Sequence, residues 1–210
     1  DKLNQLISIA RTNGIYIFSD EVYRLLERDD SIRLPQVADI YEKALSLNVT
    51  SKAYGLPGLR IGWIACKDHD LLDALERTKH YLSICNSGPS EVLTVIALHA
   101  RDWILQKNRK LVADNLEHLN TFFAGYPELF DWTPPDGGCV GYPRYKGKEG
   151  VEQFCTLLVQ KSGVLLLPAS VYRSALTETP KDHFRIGYGR KNMIEGLKIM
   201  ENHVNRYCRV

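Results

Sequence analysis

The sequence predicts an α/β fold: part of a mainly parallel sheet, followed by a small α+β C-terminal unit. Three observations carry the expectation. The run "IYIF" at 15–18 is short, apolar and rich in β-formers, and reads as a strand buried on both faces, as in a parallel sheet. A strand–helix–strand order follows, which implies a right-handed crossover. The character then changes near Phe123, where long helical periodicity gives way to a proline-, glycine- and aromatic-rich stretch at 125–145.

Element by element, Leu3, Leu6, Ile7 and Ala10 recur at helical spacing, and Gly14 is a good stop for that helix. After the strand at 15–18, "PQVADIYEKALSL" (35–47) has proline at its front and apolar residues at helical spacing, and is expected to be a helix. "NVTS" (48–51) and "RIGWIAC" (60–66) read as two further strands. Helices are expected over 70–82, over 89–100 with Ser87 as a cap, and over 102–123. The stretch 125–145 reads as turns joining short strands. A helix at 150–162, strands at 164–168 and 183–189, and a helix at 193–207 complete the chain. With only about three strands, the front unit offers too little for a sheet that needs cover on both faces. The sequence is therefore expected to be the C-terminal part of a longer chain.

Composition removes several function classes. A net charge of +2 is too near neutral to suggest a nucleic-acid partner. No apolar run approaches the ~18 residues of a membrane span. The five cysteines are far apart and form no C-x-x-C, so they read as free thiols in a reducing, cytoplasmic compartment. His80, His99 and His118 fall in helical segments without an H-x-x-x-H pair, and no metal site is expected.

Three stretches carry chemistry. In "TSKAYGLPGLRIGW" (50–63), Lys52 follows a strand end, where open α/β sheets bind ligands. Alone it would be a solvated charge. Its neighbours change that: Thr50 and Ser51 offer hydroxyls, Gly55, Gly58 and Gly62 permit a tight backbone, and Arg60 offers a planar fork for phosphate. A lysine amine used as a nucleophile forms a Schiff base with a carbonyl. In "SDEVYR" (19–24), Asp20 follows the first strand and needs a cationic partner if buried, and a protonated pyridine nitrogen is one. A helix-capping Asp beside a core tyrosine accounts for that stretch equally well. In "FRIGYGR" (184–190), Arg185 shares a strand face with Gly187, whose missing side chain leaves room for a ligand, and suits bidentate grip of a carboxylate. The alternative there is a structural ion pair.

Together, D-x-x-Y, then S-K-x-x-G-L-x-G-x-R-x-G, then an F-R-I strand resemble the fold-type I pyridoxal-phosphate enzymes, in particular the class I/II aminotransferases, over essentially the whole chain as the second half of a family member. The resemblance implies that residues 1–115 are the C-terminal part of the cofactor-binding large domain with the interdomain helix, and 116–210 the small domain. It implies that Lys52 carries a Schiff base with pyridoxal 5'-phosphate and shuttles the substrate proton. Asp20 would pair with the pyridine nitrogen, Tyr23 with the ring oxygen, Ser51 and Arg60 with the phosphate, and Arg185 with the α-carboxylate. Amino acids and 2-oxo acids are the implied substrates and a homodimer the implied assembly. A lyase or cyclising synthase on the same cofactor, or an inactive fragment lacking the N-terminal half, are the competing readings. The sequence departs from the family pattern at Val49, where many members have serine, and at Cys139, where many have an aromatic. No arginine lies between Arg77 and Arg101, which argues against a pocket for a dicarboxylate side chain.

Overall fold

A computed structural model describes residues 2–208, and the chain divides between Asn108 and Arg109 into two units. In the first, α1 (Lys2–Thr12) buries Ile7 and Ala10 and gives way to Gly14 at φ 64°. β1 (Ile17–Asp20), a one-turn α2 (Val37–Ile40), β2 (Ala44–Val49) and β3 (Gly62–Cys66) follow, with the strands in the order β1-β2-β3. β1 pairs parallel with β2, from Ile17 opposite Ala44 to Asp20 opposite Leu47. β3 pairs antiparallel with β2, from Leu45 opposite Cys66 to Val49 opposite Gly62. α3 (His69–Ser83) starts on Asp68, whose Oδ1 accepts from Leu71 N at 3.0 Å. α4 (Gly88–His99) begins after Ser87, and α5 (Arg101–Ala124) follows.

Three expectations need correcting here. The stretch 35–47 is not one helix: after one turn the chain enters β2 at Ala44. Leu45 and Leu47 alternate as in a strand, and a ladder on both sides of β2 outweighs the helical preference of the preceding residues. Within this sheet β1 pairs parallel with β2 and β3 antiparallel with it. β1 is not buried on both faces: it is an edge strand, and Phe18 is 60% exposed. Ser87 occupies the cap position of α4 without a side-chain hydrogen bond to the helix.

In the second unit, β4 (Phe130–Asp131) pairs with β6 (Arg144–Tyr145), and β8 (Phe184–Gly187) lies between β5 (Val140–Gly141) and β7 (Leu167–Pro168). β7 is shorter than the expected 164–168 strand, with Leu165 exposed and only its end paired. α6 (Gly150–Ser162) and α7 (Met193–Tyr207) have the bounds read from periodicity. Leu119, Phe154, Leu158, Phe184 and Met200 centre the core of this unit. The Phe154 ring stacks on Tyr145 at 4.3 Å, and Phe130 packs against Phe123, Phe154 and Phe184 at 5.3–6.0 Å. Such aromatic packing buries much apolar area per residue, which a unit of this size needs. Asn115 is buried on α5 and ties down the exit of β8: its Nδ2 donates to Tyr188 O at 2.7 Å and Arg190 O at 2.9 Å.

The five cysteines are all free thiols. Among the described residues, no helix is long and apolar enough to cross a membrane, and no group of His, Cys, Asp and Glu has the arrangement of a metal site.

Candidate active site

Parallel pairing of β1 and β2 brings their carboxyl ends to one edge, and Asp20 and the Lys52 segment both leave from it. Asp20 is exposed at the end of β1, and its Oδ1 accepts from Val22 N at 3.2 Å. The next residue, Glu21, is a half-buried carboxylate that serves the scaffold. Its Oε1 accepts from Ser46 Oγ at 2.7 Å and from Val37 N, at the start of α2, at 3.0 Å. Tyr23 follows in a turn closed by Arg24 N to Glu21 O, and packs against Leu26, Ala53, Tyr54 and Leu105.

Lys52 is half-buried, and its Nζ stands 5.1 Å from the centre of the Tyr23 ring, within cation–π range. Among the described residues no carboxylate forms an ion pair with it. The segment is held by its backbone. Thr50 N donates to Ile61 O at 3.0 Å, Gly55 N to Lys52 O at 2.9 Å and Leu56 N to Thr50 O at 3.0 Å. Gly55 sits at φ 66°, and a Cβ there would come within 3.1 Å of Asn108 Nδ2. At Gly62 a Cβ would lie 2.8 Å from Asn48 O, so the return strand needs glycine. Gly58 meets nothing within 4 Å and is not under that constraint.

The hydroxyls of the segment divide their work. Thr50 is buried, with its Oγ1 3.1 Å from Ile61 O and 3.4 Å from Leu56 O, so its proton is spent on the loop. Ser51 is half-buried beside Lys52. Arg60 is exposed and adopts left-handed backbone angles, φ 56° and ψ 35°, and its Nη1 donates to Pro57 O at 2.9 Å. A non-glycine residue in that region carries strain, which gathers at functional sites.

Asn108 was not legible as a site residue. Its Nδ2 donates to Ala53 O at 2.9 Å and so fixes the backbone next to Lys52. Asparagine in an amphipathic helix reads as surface, and only a contact across 55 positions reveals its role.

Arg185 belongs to the second unit, on the central strand β8. Its neighbours Phe184 and Ile186 point into the core, which puts Arg185 on the other face with Gly187. A Cβ at Gly187 would meet nothing within 4 Å, so the room expected beside the arginine is present. Arg185 Nη1 donates to Tyr172 Oη at 3.3 Å. Nearby, Tyr142 stacks on His183 at 5.1 Å, and His183 Nδ1 lies 2.7 Å from Asp182. Burial alone would raise the Asp182 carboxyl, but hydrogen bonds from Arg144 and His183 outweigh it and hold the group below the usual carboxylate range.

A family model described as aminotransferase class I and II matches residues 1–197. The chain belongs to that family. Among curated members, it is 29% identical over 207 residues to capreomycidine synthase of Streptomyces vinaceus, covering 98% of this chain and 51% of that protein. It is 26% identical over 178 residues to a probable N-succinyldiaminopimelate aminotransferase of Mycobacterium tuberculosis, covering 81% of this chain and 43% of that protein. Among solved structures, a PLP-dependent aminotransferase from Streptococcus suis superposes with a TM-score of 0.88 at 30% identity, over 99% of this chain and 53% of that one. The PLP-dependent cyclase OrfR superposes with a TM-score of 0.81 at 25% identity, over 97% and 53%. These neighbours make the fold that of the fold-type I aminotransferases. The chain spans about half the length of the curated relatives it matches.

Proposed function

We propose that this chain carries the lysine-bearing part of a pyridoxal-phosphate-dependent aminotransferase, which moves an amino group between an amino acid and a 2-oxo acid. The observation that carries the reading is the half-buried Lys52 amine at the carboxyl edge of the sheet, against Tyr23 and without a carboxylate partner. The donor set fits the cofactor: an amine for its aldehyde, a carboxylate for its ring nitrogen, a phenol for its ring oxygen, and a hydroxyl with a guanidinium for its phosphate. Pyridoxal phosphate, when bound, supplies an electron-withdrawing ring that stabilises negative charge at the substrate Cα.

The chain's own residues do the rest. Lys52 takes and returns the Cα proton as a positioned amine. Asp20 keeps the ring nitrogen cationic, and Tyr23 donates to the ring oxygen. Ser51 and Arg60 hold the phosphate, with the strained Arg60 backbone fixing where its guanidinium starts. Arg185 binds the substrate α-carboxylate. We extend the reading to a homodimer in the cytoplasm, supported by the family resemblance and the free thiols. Residues 1–115 and 116–210 are assigned to the large and small domains on the same resemblance.

The test is to incubate the full chain with pyridoxal phosphate, reduce with borohydride and map the peptides. The pyridoxyl group should appear on the peptide holding Lys52 and vanish in Lys52→Ala. Labelling spread over surface lysines, equal in both proteins, would overturn the assignment. A cyclising reaction is the second reading, favoured by the likeness to capreomycidine synthase and OrfR. Products formed by the whole protein separate the two: a new amino acid from a 2-oxo acid acceptor for transfer, a ring-closed product without an acceptor for cyclisation.

A further inference from the structure

Resting on the reading of Arg185 as the carboxylate-binding arginine, we propose that Tyr172 is its positioning partner and supplies a further hydrogen-bond donor to the same carboxylate. Tyr172 ends the short 3-10 turn at Ala169–Tyr172, which follows directly on β7. β7 is paired with the strand that carries Arg185: Leu167 lies opposite Arg185 and Pro168 opposite Phe184. Ala169 N donates to His183 O at 2.8 Å, which fastens the start of the turn to the residue before that strand. The two side chains thus stand on backbones tied together by a ladder, and their distance is set by the sheet.

The bond itself is the informative feature. Arg185 Nη1 donates to Tyr172 Oη at 3.3 Å. That is the long end of the hydrogen-bond range, suited to a partner that steers the guanidinium without competing with an anion for it. A phenol has one proton and two lone pairs. The lone pair facing Arg185 is engaged as acceptor, so the phenolic proton turns toward another acceptor. A carboxylate gripped by the guanidinium provides one and gains a charge-assisted O–H bond. A phenylalanine at position 172 would supply neither the steering nor the donor.

The ring of Tyr172 is held in turn. Tyr142 meets it edge-to-face, with centroids 6.2 Å apart at 89°, and stacks its other contact on His183 at 24°. Edge-to-face contact is a favoured aromatic geometry, and it restricts the torsion that would swing the hydroxyl away. Tyr142 is fixed by the next residue, because Phe184 N donates to Pro143 O at 3.1 Å. Tyr172 is itself 38% exposed, so its hydroxyl is reachable by a small carboxylate.

The test is a titration of the full chain, isotope-labelled at arginine side chains, with pyruvate as carboxylate probe and the neutral pyruvamide as control. The proteins are wild type, Tyr172→Phe and Arg185→Lys, each checked for native amide spectra. Pyruvate should shift the Arg185 side-chain resonances. Tyr172→Phe should weaken pyruvate about tenfold, the size of one hydrogen bond to a charged group, while leaving pyruvamide within twofold. If Arg185→Lys weakens pyruvate and Tyr172→Phe does not, the inference about Tyr172 falls and the role of Arg185 stands. If pyruvate leaves the Arg185 resonances of wild type unmoved, the carboxylate reading of Arg185 falls and takes this inference with it.

Discussion

Replacing Asn115 by leucine is expected to destabilise the second unit by about 2–3 kcal/mol. Its amide donates to Tyr188 O at 2.7 Å and Arg190 O at 2.9 Å, and the residue is only 2% exposed. Each such bond contributes about 1 kcal/mol net, and a buried carbonyl stripped of a donor costs about 1–3 kcal/mol. The bond to Tyr188 is buried and falls at the upper end. Arg190 O also accepts from Met193 N at 3.3 Å, and its loss falls at the lower end. Asn115→Asp separates donor loss from shape. A buried carboxyl facing two carbonyls is raised above its unfolded value near ~3.9, because burial and the carbonyl dipoles disfavour its charge. The variant should therefore be most stable below that pH, where the carboxyl donates one proton to a carbonyl. Stability should then fall as pH rises toward the folded value. The assay is urea unfolding followed by near-ultraviolet dichroism, with amide exchange across Phe184–Gly187 as local readout. An Asn115→Leu loss below about 0.5 kcal/mol, with exchange in β8 unchanged, would refute the claim that this amide anchors the strand carrying Arg185.

Other outcomes follow from buried titratable groups. His203 is held below its ordinary 6.5 by burial first and then by Lys161, with Glu149 opposing, and its Nδ1 lies 2.9 Å from Ser162 Oγ. The stability this group contributes is full above pH ~6.5 and lost as pH falls through the depressed folded value. Urea midpoints measured from pH 7.5 downward should slope less steeply below ~6.5 in His203→Gln than in wild type. Iodoacetamide under native conditions should label Cys85, which is exposed, well before Cys155, whose thiol is buried and pushed up to about 12 by desolvation. Peptide mapping reads the order, and rapid native labelling of Cys155 would contradict its place in the core.

Helices were the legible part of this fold. α6 and α7 have the bounds that periodicity and their flanking residues imply, because a helix closes its own hydrogen bonds within a few residues. The residues 35–47 misread for the opposite reason. Val37 and Ile40 do form a turn of helix, but Leu45 and Leu47 belong to a strand whose partners lie in β1 and β3. The candidate site divides in the same way. Lys52 and Arg60 stand out by their hydroxyl and glycine neighbours and Asp20 by its place after a strand, while the roles expected of them come from the family resemblance. Asn108, Glu21 and Tyr172 do not stand out, since each acts through a contact distant in sequence or unmarked by any motif.

By itself, the sequence determined which chemical groups are present and the family they resemble: an amine between hydroxyls and glycines, a carboxylate after a strand, an arginine beside a glycine. The tertiary structure decided what each of them meets. It spent the Thr50 hydroxyl on Ile61 O, placed the Lys52 amine against the Tyr23 ring, and set Tyr172 beside Arg185. The physical reason is that residue type and spacing are local properties, whereas the partner of a hydroxyl or a guanidinium is chosen by strand pairing and packing between segments far apart in the chain.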